Sequence, residues 1–172
     1  MKKQQKKLYD RVIIATHSDQ ALKLLSDASA QEINVLEALP YVSNDVLLHT
    51  DPSFMPKNKL AWAAWNYNID KKPDDPITLT YNMNILQNLK TKQPILVTLN
   101  PNKPIHKEKI LKRLNYSHPK FSMQGIEAQK QHSVISGINY TGYAGAYWGN
   151  GFHEDGVRSA YNAIKHFKDF IQ

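Results

Sequence analysis

The sequence contains no cysteine, which excludes disulfide bonds, iron–sulfur clusters and catalysis by a thiol. It also lacks an apolar run of the roughly 18 to 20 residues that a helix needs to cross a bilayer. The start of the chain is basic, with Lys2, Lys3, Lys6 and Lys7, but no apolar signal core follows these residues. A cytoplasmic protein without a membrane span is therefore expected.

Several signatures of catalysis and ligand binding are also missing. There is no HExxH metal motif, no GxSxG elbow of serine hydrolases, and neither a GxGxxG nor a GxxxxGK[ST] phosphate-binding loop. His153, Glu154 and Asp155 are consecutive, so on a helix their side chains would point in different directions and could not easily grip one ion. No metal site is expected, and no catalytic residue is predicted.

The composition is that of a folded protein with some excess of positive charge. Of the 172 residues, 41% are hydrophobic and 22% are charged, which is ordinary for one globular domain with a core. The net charge of +7 raises a nucleic-acid-binding alternative. Because four lysines lie within the first seven residues and the others are scattered among acidic residues, a solvated surface is favoured and no nucleic-acid partner is expected.

The two ends of the chain predict a layered α/β arrangement. The apolar run at 12–15 predicts a strand buried on both faces, followed by a helix capped by Ser18 or Asp19 and a second helix over 29–39 that Pro40 ends. Near the other end, a short strand over 138–144 leads through a loop to a helix over 154–171. These elements resemble parts of one sheet whose other strands are missing.

The middle of the chain predicts a mostly antiparallel sheet. Strands are predicted at 45–50, 59–67, 77–81 and 94–99, with the turn-like segments DPSFMPKN and NIDKKPDDP and a short helix at 83–89 between them. Helices are predicted at 107–114 and 122–131. The fold class is therefore mixed α/β, with an antiparallel layer between the two α/β ends.

The stretch GAYWGNGFHEDGVRSA at 145–160 is the main candidate site. Its glycines permit close approach of the backbone to a ligand, and the start of the following helix favours an anion or an electron-rich oxygen. Flat apolar surface is available from Tyr147, Trp148 and Phe152. The loop suits a planar ligand that carries carbonyl or phosphate oxygens, but a tight strand-to-helix turn with packing aromatics explains the same residues equally well.

Three aromatic residues of the middle region, Trp65, Tyr67 and Tyr81, lie in the segments LAWAAWNY and LTYNM. They fall at strand spacing, for which core packing is the default interpretation. Lining of an apolar substrate cavity is the alternative.

Two segments, YDRVIIATHSDQALKLL and GYAGAYWGNGFHEDGVRSA, resemble parts of a known family, the flavin-containing amine oxidoreductases. The first is similar to the segment in which their chain returns to the FAD domain, and the second is similar to their C-terminal FAD motif. The segments LLHTDPSFMPKNKLAWAAWNY, LTYNMNILQNL and VTLNP resemble a bacterial branch of predicted NAD/FAD-binding proteins. The resemblance implies a partial FAD domain at 8–27 and 133–172, and a substrate-type region at 28–132.

The resemblance also implies a cofactor role for individual residues. Ala15 and Thr16 would end a strand near the ribose or pyrophosphate of FAD, and Ala146 replaces the acid of the family's Gly–acid pair. In an alignment without gaps, Phe152 falls at an aromatic residue of the family that faces the flavin. In the alternative alignment, Asp155–Gly156 matches the family's acid–glycine step. With Phe152 in place of tyrosine, an aromatic cage for amines is not expected. The N–H groups near Gly156 and Val157 would approach N1 and O2 of the flavin. The implied cofactor-binding set is Ala15, Thr16, Gly145, Ala146, Tyr147, Trp148, Phe152, Asp155, Gly156 and Val157.

One departure from the family is large, because the sequence has no GxGxxG unit for the ADP half of FAD. The expected function is therefore the C-terminal portion of an FAD-dependent oxidoreductase, which passes hydride from an apolar substrate, such as a fatty acyl chain, to the flavin. A separate chain that bears GxGxxG would be needed as partner. The alternative is an inactive truncated remnant or a non-enzymatic partner-binding protein.

Overall fold

The computed structural model describes residues 6–69 and 77–168, which form two compact units. The terminal unit combines residues 1–42 with 119–172, and the middle unit comprises 43–118. The strands are β1 (Val12–Ile14), β2 (Tyr41–His49), β3 (Trp65–Asn68), β4 (Thr78–Asn82), β5 (Leu96–Leu99), β6 (Ile110–Pro119) and β7 (Thr141–Tyr143). The α-helices are α1 (Ser18–Leu24), α2 (Ala30–Glu37), α3 (Met83–Leu86), α4 (Met123–Gln129), α5 (His132–Ile135) and α6 (His153–Lys168).

The middle unit is built on a five-stranded sheet in the order β3-β4-β5-β2-β6. The pairs β3–β4, β4–β5 and β5–β2 are antiparallel. Burial alternates along β4 and β5, because successive side chains of a strand point to opposite faces. The buried face of β4 is polar, since it carries Thr78, Thr80 and Asn82.

A buried hydrogen-bonded chain satisfies part of this polar face. Nδ1 of the fully buried His49 accepts the backbone N–H of Asp51 at 3.1 Å, so Nε2 is free to donate to the hydroxyl of Thr98 at 2.7 Å. The hydroxyls of Thr98 and Thr80 are 2.9 Å apart. The imidazole is neutral, because burial lowers the pKa of His49 to about 4 despite the opposing effect of the Asp51 carboxylate.

The terminal unit contains a two-stranded parallel sheet of β1 and β7, in which Ile14 lies beside Tyr143. Helix α6 packs closely on β7: a side-chain carbon at Gly142 would come within 3.0 Å of the Phe167 ring. The core of this unit is formed by Ile14, Ala21, Val35, Leu36, Leu39, Ala128, Ile135, Tyr143 and Tyr147.

A buried hydrogen bond connects α2 to β7 across this core. The hydroxyl of Tyr143 donates to Oε1 of Glu32 at 2.6 Å, and both residues are buried. The other oxygen of Glu32 accepts from the backbone N–H and the hydroxyl of Ser29, which caps α2. Burial opposes ionisation of Glu32, but these hydrogen bonds outweigh it and lower the pKa of the carboxyl. The carboxylate is thus compensated inside the unit.

The mixed α/β fold class and the mostly antiparallel sheet are confirmed. The helix predicted at 107–114 is wrong: a single 3-10 turn at Lys107–Lys109 leads into β6. Across the β2–β6 pair, Asp45 binds Arg113 through two hydrogen bonds of 2.8 and 2.7 Å. Pairing with β2 therefore overrides the helix-like spacing of this segment.

The predicted strand at 59–67 is also shorter than expected. It begins as a 3-10 turn at Lys59–Ala61, and only Trp65–Asn68 forms a strand. The segment 70–76 of NIDKKPDDP and the predicted end of the last helix at 169–171 lie outside the described residues.

Two local predictions at the start of the terminal unit need correction. Helix α1 is preceded by His17 at the N-cap position, not by Ser18 or Asp19, because the buried Ser18 hydroxyl donates to the carbonyl of Leu39 instead. Strand β1 is not buried on both faces, since Val12 is 49% exposed and Ile13 41% exposed.

The observed unit boundaries differ from the predicted boundaries 8–27, 28–132 and 133–172. Segments 28–42 and 119–132 belong to the terminal unit, because α2 and α4 contribute to the same core as β1 and β7. The assignment of the two regions to a cofactor domain and a substrate domain remains a prediction. Within residues 6–69 and 77–168, no helix has both the length and the apolar character that membrane crossing requires.

We predict that the free energy of unfolding falls by about 2 kcal/mol between pH 7 and pH 5 because of His49. The unfolded chain binds a proton near pH 6.5 and the folded chain only near pH 4. The stabilisation is therefore present above pH 6.5 and is lost as the pH falls toward 4. Urea unfolding at the two pH values measures this difference.

The variant His49→Gln should show a clearly smaller decrease between the two pH values. What remains in the variant belongs to other groups such as His132, whose pKa burial also lowers. An undiminished decrease in His49→Gln would contradict the assignment to this imidazole.

Candidate functional site

The candidate site lies where the carboxyl ends of β1 and β7 meet. Because the two strands are parallel and Ile14 lies beside Tyr143, the residues that follow each strand leave the sheet at one edge. The carbonyl of Ile14 accepts the N–H of Ala144 at 3.0 Å, which extends this pairing beyond the strands. Ala15 and Thr16 thus come to the same edge as Gly145 and Ala146. Ligands of open α/β sheets bind at such an edge.

The loop from Gly145 to Phe152 is closed by one buried carboxylate. Oδ2 of Asp155 accepts the N–H groups of Asn150 and Phe152, each at 3.0 Å, and Oδ1 pairs with Arg158. Gly149 is required here, since a side-chain carbon at that position would lie 2.3 Å from Oδ1 of Asp155. Asp155 therefore organises the loop and is not presented to a ligand.

The neighbours of Asp155 point elsewhere, as the sequence predicts for consecutive helical residues. His153 and Glu154 are both exposed. Among the described residues, no group of three or more His, Cys, Asp or Glu side chains is placed to hold a metal ion.

Gly145 is occupied by contacts within the protein. Its N–H donates to the hydroxyl of Ser159 at 2.9 Å, and a side-chain carbon at this position would lie 2.3 Å from the Tyr147 ring. The glycine is needed so that the ring can pack under the loop. The backbone N–H that the resemblance would assign to the cofactor is thus already used at Gly145.

The next residue offers a free donor. Within the described residues, the N–H of Ala146 has no hydrogen-bond partner. It faces Gly156, where a side-chain carbon would meet only Ala146, at 3.8 and 4.0 Å. Ala146 and Gly156 therefore border a gap between the loop and the first turn of α6 that a single methyl group would fill.

The start of α6 differs in detail from the expectation. The N–H of Gly156 donates to the carbonyl of Phe152 at 3.2 Å, so it is not available to a ligand. The donors that helix geometry leaves open lie earlier, at His153 and Glu154. Val157 is 65% exposed and projects away from the unit's core.

The aromatic residues of the loop separate into two groups. Tyr147 is 2% exposed and belongs to the hydrophobic core, and the ring of Trp148 packs 4.5 Å from that of His132. The side-chain amide of Gln129 donates to the carbonyls of Tyr147 and Gly149, at 2.8 and 2.7 Å. Phe152 is 64% exposed, so its ring is open to solvent.

An aromatic pair that sequence reasoning missed lies next to Thr16. The rings of His17 and Tyr41 stack with centroids 4.0 Å apart and planes 12° apart, and Tyr147 meets Tyr41 edge-on at 6.2 Å. Burial, together with the charge of Asp19, raises the pKa of Tyr41 to about 12, so its hydroxyl stays neutral. No motif signals this pair, because it joins residues from the start of α1 and the start of β2.

The aromatic residues predicted in the middle unit lie on its edge strand β3 and on β4. Trp65 is 58% and Tyr67 56% exposed, which argues against core packing as their main role. Both line a cavity of about 690 Å³ within this unit. Tyr81 is not part of the cavity wall but supports Trp65, with ring centroids 5.4 Å apart, and burial raises its pKa.

We predict that Asp155→Ala destabilises the terminal unit by about 1–2 kcal/mol, because the loop N–H groups lose an acceptor of the capping type. Glu154→Ala is the matched control, since it removes one negative charge from an exposed position in the same helical turn. Thermal unfolding followed by circular dichroism measures both variants. Equal melting temperatures for the two would contradict the role assigned to Asp155.

Comparisons with known proteins do not place the chain in a family: no family model matches the sequence, and no curated protein matches it either.

Proposed function

We propose that this chain forms the flavin-ring side of the FAD site in an FAD-dependent oxidoreductase, and that a GxGxxG-bearing unit outside residues 1–172 completes the site. The observation that carries the proposal is the parallel pairing of β1 with β7, which brings the two segments of the resemblance, Ala15–Thr16 and Gly145–Ala146, to one sheet edge. That pairing joins opposite ends of the described chain. The patterning of the two ends predicts that they belong to one sheet, and the resemblance requires that the two segments meet.

The chemistry of this edge supports an electron-rich ligand. Ala146 offers an unused N–H, and the first turn of α6 adds open N–H groups and the positive end of the helix dipole. A bound flavin would supply the hydride acceptor, and negative charge builds at its N1 and O2 when it is reduced. Since Ala146 has no carboxylate, this chain contributes backbone donors there, with the exposed ring of Phe152 beside them.

Exposed apolar surface supports the need for a further GxGxxG-bearing unit. Parallel sheets are normally covered on both faces and have more than two strands, yet Val12 and Ile13 are 49% and 41% exposed. On α6, Val157, Tyr161 and Ile164 are 65%, 68% and 44% exposed at the spacing of one helix face. A dinucleotide-binding domain that continues the sheet would cover such surfaces.

The substrate side of the proposal rests on the middle unit. Its cavity of about 690 Å³ has Trp65 and Tyr67 in the wall, which suits an apolar substrate such as a fatty acyl chain. The chain would bind and orient this substrate. No side chain is assigned to proton transfer.

The direct experiment is to search the neighbouring reading frames for a GxGxxG-bearing chain and to co-express it with this one. Purified alone, this chain should be colourless, whereas the complex should show flavin absorbance at close to one FAD per pair. A complex that stays colourless with FAD supplied would contradict the proposal. Tight FAD binding by this chain alone would contradict the need for a partner.

We predict that Gly156→Leu abolishes flavin retention by the complex while Gly156→Ala leaves the fold intact. A methyl group at this position contacts nothing closer than 3.8 Å, so alanine should stabilise α6 by about 0.5–1 kcal/mol. The longer leucine side chain would project into the space between Ala146 and α6. Flavin absorbance per complex and the melting temperature of this chain measure the two effects separately.

Full flavin content in Gly156→Leu would exclude this space as part of the cofactor site. Loss of flavin together with a lowered melting temperature in both variants would show that the substitutions act through folding instead.

A non-enzymatic partner-binding protein is the second candidate function. The exposed apolar residues of β1 and α6 support this candidate as much as the flavoprotein, because they indicate a protein partner and give no information about a flavin. A stable complex that binds no FAD supports this candidate against the first.

A further inference from the structure

A second cleft of the middle unit, with a volume of about 610 Å³, is rich in positive charge. Its wall includes four lysines, Lys57, Lys59, Lys103 and Lys109, together with Trp62 and Met55. None of these residues belongs to the flavin edge of the terminal unit. Met55, Lys57 and Lys103 also line the cavity of about 690 Å³, so the two spaces of the middle unit adjoin.

The walls of the cleft are held in place by the short segment from Asp51 to Pro56. The buried Asp51 carboxylate accepts the N–H of Ser53 at 3.1 Å and binds Nζ of Lys109 at 3.3 Å. Burial opposes ionisation of Asp51, but these contacts prevail and lower its pKa. The ammonium group of Lys109 is thereby fixed at the cleft by a side chain that lies inside the protein.

Two further wall residues, Lys103 and Trp62, form hydrogen bonds to the backbone of the same segment. Nζ of Lys103 donates to the carbonyl of Ser53 and lies 4.7 Å from the centre of the Phe54 ring. The indole N–H of Trp62 donates to the carbonyl of Pro56 at 2.9 Å, which fixes the orientation of the ring. An aromatic wall and two ammonium groups are thus positioned before any ligand arrives, which lowers the entropic cost of binding.

The charge of the cleft is only partly balanced, because its four lysines meet a single wall carboxylate, Asp51, which is paired with Lys109. The described part of the middle unit has nine lysine and arginine residues against three acidic ones, Asp45, Asp51 and Glu108. Asp45 is paired with Arg113, and Glu108 lies next to His106. Within the described residues, Lys57 and Lys59 form no ion pair. Ammonium groups that share a cleft repel each other, and a bound anion would turn this repulsion into attraction.

We propose that this cleft binds a small organic phosphate, with the phosphate between the lysines and an apolar or aromatic body against Trp62 and Met55. Lysine binds phosphate as a compact point charge with three donors. The apolar wall provides the contact that inorganic phosphate could not use, and the cleft volume is that of a small-molecule site.

The test is calorimetric titration of the purified chain with 1-naphthyl phosphate as the probe. We expect binding below about 1 mM that weakens as the salt concentration rises. Three comparison ligands should bind more weakly. Inorganic phosphate lacks the aromatic ring system, 1-naphthol lacks the charge, and 1-naphthoate has a carboxylate in place of the phosphate. No binding of naphthyl phosphate at 10-fold higher concentrations, or equal affinity for any one of the three comparison ligands, would overturn the proposal.

Matched double variants separate the cleft from diffuse charge. Lys57→Gln with Lys59→Gln should weaken naphthyl phosphate binding by about tenfold or more. Lys107→Gln with Lys112→Gln removes the same charge from exposed positions outside the cleft. This double variant should change the affinity for naphthyl phosphate by less than about twofold. Equal losses in the two double variants would overturn the assignment to this cleft, and circular dichroism of both checks that the fold is retained.

Discussion

The terminal unit depends on the parallel register between Val12–Ile14 and Thr141–Tyr143. This register sets the edge at which Ala15 and Ala146 emerge, and it places β7 under α6. The hydrogen bond between Glu32 and the Tyr143 hydroxyl connects the same strand to α2. If Tyr143 lost this position, Oε1 of the buried Glu32 carboxylate would lose its donor and only the contacts of Oε2 with Ser29 would remain, which would destabilise the unit.

The glycine loop is largely satisfied by its own protein. The side chains of Asp155 and Ser159 accept hydrogen bonds from backbone N–H groups of the loop. The side-chain amide of Gln129 donates to two backbone carbonyls of the loop. A loop closed in this way holds its shape without a ligand, which is the pre-organisation that a cofactor site benefits from. The same contacts limit what a ligand can use, and leave chiefly the N–H of Ala146, the first turn of α6 and the ring of Phe152.

Some of these features can be predicted from the sequence and others cannot. Ser29 with Glu32 three residues later is a local capping pattern, and α2 begins after Ser29 as that pattern predicts. The segment that forms β6 is predicted as a helix, but it is a strand because it pairs with the distant β2 in the sheet. Long-range pairing of this kind leaves no trace in a local window.

The candidate site shows the same division. The glycines and Asp155 at the start of α6 were visible in the sequence, although Asp155 serves the loop and not a ligand. The stacking of His17 on Tyr41 depends on the meeting of distant segments, and so does the attachment of Lys109 to Asp51 in the basic cleft. Their residue types alone give no signal for either contact.

The central claim is that the edge formed after β1 and β7 binds the flavin end of FAD, and amide NMR tests it most directly. In a titration of the ¹⁵N-labelled chain with riboflavin 5′-phosphate, weak binding in the range of about 1 mM should shift the amide signals of Ala146, His153 and Glu154 first. Shifts confined to the middle unit, or no shifts at all at such concentrations, would contradict the claim.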